Sequence, residues 1–177
     1  VTGLELSDAI AFEGDRTNMQ LSGAMQLGDF DGDGNNDLLL LGANHAFFIN
    51  GPFNTIGLQQ AAIVADHLFD LASLGRPADR MGDLNASGRT DLVFYRYDES
   101  LGATVITIIF GGEVLPRLIT ADSLDPVYSR QIILTDDELR AFENEENSTG
   151  ALDIQVMVAR WSGHYNAQAE NYYDDLV

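Results

Sequence analysis

The sequence predicts an all-β fold, and three observations carry that reading. Two short turns, DFDGDGNND at 29–37 and DLNASGRTD at 83–91, are each followed by an apolar run, Leu38-Leu39-Leu40-Leu41 and Leu92-Val93-Phe94-Tyr95. Short apolar runs bounded by Gly, Asn and Asp read as buried strands. The longer stretches LGDFDGDGNNDLLLL and MGDLNASGRTDLVFY align without a gap and start 54 residues apart, a period that suits one propeller blade better than one hairpin. Most of the remaining chain consists of β-rich runs punctuated by turn residues.

In chain order, Ala9-Ile10-Ala11-Phe12 and Met25-Gln26-Leu27 lead into the first turn, and Ala46-Phe47-Phe48-Ile49 follows it, ending at Asn50-Gly51-Pro52. Leu58, Ala61, Ala62, Ala65, Leu68, Phe69 and Ala72 recur at helical spacing, and alanine favours helix, so a helix is expected between the two repeats. Leu92 to Tyr97 and Thr104 to Phe110 form a hairpin around Asp98-Glu99-Ser100-Leu101-Gly102, closed by Gly111-Gly112. Arg130 to Leu134 is a further short strand. Thr135 with Glu138 forms a capping box, placing Leu139 and Phe142 on one helix face. A poorer third copy of the turn runs from Glu145 to Asp153, with Asn147, Thr149, Gly150 and Asp153 at matching offsets, before the strand Ile154-Gln155-Val156-Met157-Val158. The tail Ser162 to Val177 is polar and aromatic, a frayed terminus or a segment that pairs with a neighbouring subunit.

With 177 residues, 45% of them hydrophobic, the chain has enough material for one domain with a true core. Its formal charge of −19, from 28 acids against 9 bases, argues against nucleic acid or an anionic membrane surface as partner. There is no cysteine, hence neither a disulfide framework nor a thiolate metal site. No membrane-length apolar run is present, so direct membrane insertion is not expected, and the start at Val1 suits a removed leader or a fragment.

The first turn gathers Asp29, Asp31, Asp33 and Asp37 within nine residues. At about 5 Å and an effective dielectric near 20, each carboxylate pair costs roughly 3 kcal/mol, a large share of a domain stability of about 5–15 kcal/mol. A bound cation accounts for such a cluster better than solubility does. Oxygen donors without Cys or His indicate a hard ion, and a flexible many-oxygen shell suits calcium. An EF-hand is excluded, because the twelfth residue from Asp29 is Leu40 rather than a bidentate Glu. Alternate side chains Asp29, Asp31 and Asp33 can face inward, Gly34 permits the turn, Asn35 offers its carbonyl and Asp37 closes the shell. The second turn offers Asp83, Asn85, Ser87 and Asp91, with Gly88 at the turn and the Arg89 carbonyl in the backbone position.

These residues resemble the calcium loops of FG-GAP or VCBS repeats, the blade units of integrin-alpha-like β-propellers. The resemblance implies that each loop joins two antiparallel strands of a blade, and that its first, third, fifth and ninth residues and seventh carbonyl ligate Ca2+. Carried over, the ligands are Asp29, Asp31, Asp33, Asn35 and Asp37, then Asp83, Asn85, Ser87, Arg89 and Asp91. The implied architecture is a partial or open β-propeller-like array of about three antiparallel blades, with approximate repeats 9–57, 58–115 and 128–177 and one or two short inserted helices. The family's Phe-Gly opening is not plain before either loop, and Gly42-Ala43-Asn44 stands where Gly-Ala-Pro is expected.

Three functions are consistent with this. The first is a calcium-stabilised, secreted or cell-surface interaction module on a bacterial exterior, binding a protein or glycan partner. The second is a self-assembling filament or surface-layer subunit whose copies complete one another's sheets. The third is the propeller of a secreted carbohydrate-active enzyme, for which no catalytic cluster is evident. Asp33→Ala and Asp91→Ala are each expected to remove one site, lowering the melting temperature in calcium but changing it little in chelator.

Overall fold

The computed structural model describes residues 10–14, 20–53 and 57–135. The described residues are mostly β-sheet with a few short helical turns, arranged in three sheets. Eleven strands run β1 (Ile10–Glu13), β2 (Gly23–Gln26), β3 (Leu38–Leu41), β4 (His45–Ile49), β5 (Gly57–Gln60), β6 (His67–Asp70), β7 (Arg76–Pro77), β8 (Leu92–Asp98), β9 (Ala103–Ile109), β10 (Leu118–Ile119) and β11 (Ser129–Thr135). The larger sheets have the orders β10-β6-β4-β3-β2 and β11-β9-β8-β7, and β1 pairs in parallel with β5.

Within the two larger sheets, β2-β3-β4-β6 and β7-β8-β9-β11 are antiparallel four-stranded meanders in matching register. Leu38 faces Ile49 as Leu92 faces Ile109, and Ala46 faces Phe69 as Ile106 faces Ile132. The alignment of the two turns therefore extends through whole sheets. Between the sheets lies the main core, where Leu27, Phe30, Leu39, Ala46, Phe48 and Phe69 from the first sheet and its loop meet Leu92, Phe94 and Ile109 from the second sheet. The other face of the first sheet carries Leu40, Phe47 and Ile49, covered by Phe12, Leu21, Ala61 and Ala65. The β10 strand adds to β6 in parallel, and Arg117 just before it donates to the carbonyls of Ala65 and Ala62.

A continuous helix over 58–72 is not formed, and the one or two short inserted helices expected are two single turns. That stretch is β5, a single turn α1 (Ala61–Val64), β6 and a second single turn α2 (Leu71–Leu74). One helical face would have buried Leu58 together with Phe69, yet Leu58 is 61% exposed and Phe69 fully buried. Strand pairing decides the outcome: β5 pairs with β1, and β6 fills the place beside β4. The Asp70 carboxylate accepts the amide of Ala72, which starts α2 as a separate turn. The capping box at Thr135 and Glu138, the third turn at 145–153, the strand 154–158 and the tail 162–177 lie outside the described residues, apart from Thr135, which ends β11.

Candidate metal centre

Each turn is wound around its own carboxylates. In the first loop, Asp29 accepts the amides of Gly32 at 2.6 Å and Gly34 at 2.9 Å, and Asp31 accepts that of Asp33 at 3.0 Å. In the second, Asp83 accepts the amides of Ser87 at 2.9 Å and Gly88 at 2.7 Å, and Asn85 Oδ1 also accepts from Ser87. The left-handed positions match as well: Gly32 and Gly34 at φ +88° and +89° correspond to Ala86 and Gly88 at +59° and +85°.

The ninth residue of each loop is fully buried and does the same work in both. Asp37 accepts the amides of Phe30 at 2.8 Å and Gly51 at 2.9 Å; Asp91 accepts those of Leu84 at 2.8 Å and Gly111 at 2.9 Å. Each therefore clamps the second residue of its loop to the end of the following hairpin. Burial pushes the pKa of both carboxyls up, against the lowering effect of those amides and with a further push from Asp31 or Asp83. A charge so placed is under-compensated by protein groups alone, and an adjacent cation would reverse the shift.

Among the predicted ligands of the first loop, Asp29, Asp31 and Asp37 each place a carboxylate oxygen within 4.8 Å of the others. Two oxygens sharing one calcium at about 2.3–2.6 Å can stand up to about 5 Å apart, so this spacing fits a common ion. Asp33 lies outside that group. Its carboxylate takes the side-chain amide of Asn35 at 2.9 Å and its backbone amide at 2.7 Å, and those two bonds, the side-chain one first, hold its pKa below the usual value. The donor set, all oxygen with one buried anion, fits a hard divalent cation. In the second loop Asp83, Asn85, Ser87 and Asp91 hold the corresponding places with fewer charges, and Arg89 accompanies them with its amide directed at Ser87 Oγ at 3.4 Å.

Sequence reading missed how the loops meet. The Thr90 amide donates to the Asp29 carbonyl at 2.8 Å, and the Arg89 side chain lies against Gly32 and Gly112. The signal was the lack of a side chain at Gly28, Gly32, Gly111 and Gly112, all at close approaches to Thr90 or Arg89. No family model matches the chain, and comparisons with curated proteins and with solved structures returned no significant match.

Proposed function

We propose that this chain is a calcium-binding interaction domain, secreted or held at a cell surface, in which Ca2+ stabilises the loops of propeller-blade-like repeats that present a face or rim to a protein or glycan partner. The observation that carries this reading is the convergence of Asp29, Asp31 and Asp37 oxygens within 4.8 Å on a loop whose last acid is buried. The antiparallel meanders, each with its first two strands joined by an acidic or polar turn, support the blade reading. An ion held by the first loop joins its start to its buried end and relieves carboxylate repulsion of roughly 3 kcal/mol per pair. Because it binds the folded form, it adds RT ln(1 + [L]/Kd), about 2.7 kcal/mol at a hundredfold excess over Kd. The first loop, with more carboxylates, takes the ion more tightly than the second. Calorimetric titration with calcium tests this: saturable binding that Asp31→Ala abolishes at the tighter site supports it, and no heat at millimolar calcium overturns it.

One observation favours self-assembly between copies as a second reading. The strand β11 is seven residues long, stands at the edge of its sheet among the described residues and leaves Ile133 52% exposed. Light scattering with calcium and with chelator separates the readings, since an interaction module stays at constant mass in both.

A further inference from the structure

The repeat carries one consequence for the far face of the second sheet. In the first repeat, Phe30, Leu39, Ala46 and Phe48 line the face on which the second sheet packs. Their partners by register and loop position, Leu84, Val93, Ile106 and Ile108, form a separate cluster on the opposite side of the second sheet. Every described member of that cluster belongs to this sheet or to the 78–84 segment leading into its loop. The face is thus the image of one that elsewhere is covered by a neighbouring sheet, with Leu92, Phe94 and Ile109 as the covering residues. Its rim leaves Ile132 42% exposed, whereas the matching residue Phe69 is fully buried against Phe94, ring centroids 5.2 Å apart.

The chain continues beyond Thr135 for 42 residues. Within them, Leu152, Ile154, Val156 and Val158 alternate with Asp153, Gln155, Met157 and Ala159, an alternation in which one set is wholly branched-aliphatic and the other mixed. Asp153 ends the third turn motif as Asp91 ends the second, so Ile154 and Val156 correspond to Leu92 and Phe94. The 16 residues between Thr135 and Leu152 span up to about 50 Å when extended, ample to turn from an edge strand onto its own sheet. On the first sheet, the outer face is the one against which Phe12 of β1 packs.

We propose that residues 152–158 dock on this far face, Ile154 and Val156 packing on the second sheet as Leu92 and Phe94 pack on the first, with Val156 beside Ile132. This assignment rests on the repeat and not on calcium, so it stands or falls separately from the metal reading.

The native chain has no cysteine, which makes a paired-cysteine test in the full-length protein direct. The double variant Ile132→Cys/Val156→Cys, treated with a short bismaleimide, is expected to give an intramolecular cross-link. The control Ile133→Cys/Val156→Cys uses the neighbouring exposed residue on the opposite face of β11 and is expected to react at least several-fold less. Both positions on β11 are partly exposed, so the fold tolerates the changes, and circular dichroism of each variant verifies it. Equal yields from the two pairs, or no cross-link from either, overturn the proposal. Covalent dimers from the first pair overturn it in favour of a second copy on this face.

Discussion

The amide of Thr90 donates to the carbonyl of Asp29 at 2.8 Å, so the second loop is hydrogen-bonded to the first acid of the first loop. Thr90 precedes the buried Asp91, and Asp29 begins the turn that ends in the buried Asp37. The two loops therefore form one unit at the junction of the two larger sheets. Phe30, next to Asp29, extends that unit into the core, meeting Phe48 edge-on at 4.9 Å.

Asp37 and Asp91 separate structural from metal-dependent effects. Substituting either by Ala leaves two amides without an acceptor, Phe30 and Gly51 in one case and Leu84 and Gly111 in the other. An unsatisfied buried donor costs about 1–3 kcal/mol, so Asp37→Ala and Asp91→Ala should each lose on the order of 3 kcal/mol, in chelator as well as in calcium. This corrects the expectation that Asp91→Ala matters only when calcium is present. Asp31→Ala, which releases only the Asp33 amide, should change little in chelator and abolish the calcium-dependent rise. Urea unfolding of the three variants under both conditions measures the difference.

Ala86 adopts φ +59° where the first loop has Gly32 at +88°. A side chain in the left-handed region costs roughly 1–2 kcal/mol, partly offset by the greater unfolded-state entropy of glycine. Ala86→Gly should therefore stabilise the protein by about 0.5–1 kcal/mol, a rise of roughly 2 °C for a chain of this size. The converse change, Gly32→Ala, should destabilise it, since the new methyl would stand 2.5 Å from Arg89 Nε. Differential scanning calorimetry of the two variants gives opposite shifts if the two positions are equivalent.

The parts of this fold legible in sequence are those governed by local chemistry. The turn residues Asp29, Gly34, Asp83 and Gly88 announce both loops, and runs of aromatic and β-branched residues announce β8 and β9, because each signal lies within a few residues of its effect. The segment 58–72 was misread because alanines at helical spacing favour helix locally, while pairing of β5 with β1 and of β6 with β4 is a long-range choice. In the site, the buried acids were recognised as candidate ligands, but their clamp on Gly51 and Gly111 was hidden by sequence separations of 14 and 20 residues. Asp33 was grouped with its neighbours by spacing alone, whereas Asn35 competes for its carboxylate.

Asp98, at the tip of the β8–β9 hairpin, gives a pH dependence away from the loops. The Ser100 hydroxyl at 2.6 Å and then Arg96 at 2.8 Å hold its carboxyl down to about 2 from an ordinary value of 3.8. A depressed folded-state value means that the contribution is fully present above pH 3.8 and is lost as the pH falls through about 2. An NMR titration of the Asp98 carboxyl should show its midpoint near 2. Ser100→Ala should raise that midpoint towards 3.8, with a larger effect than Arg96→Gln.

Gly111 is where the two loops and the hairpin end converge. Its amide is bound to Asp91 at 2.9 Å, and a methyl there would overlap the Thr90 carbonyl and stand 2.7 Å from the Phe30 carbonyl. Both obstacles are backbone atoms, one from each loop, so no rotamer change relieves them. Gly51 has the same place in the first repeat, but the atoms nearest a methyl there belong to the first loop alone, the Asn36 carbonyl and, at 3.1 Å, Asn35 Cβ. Overpacking of this kind costs typically 1–3 kcal/mol, so Gly51→Ala should lose about 2 kcal/mol and Gly111→Ala about 3 kcal/mol, read by urea unfolding. The clash displaces the backbone that carries the carboxylates, so calcium should rescue neither variant fully. A Gly111→Ala protein as stable as the parent would mean that the loops do not meet through this residue.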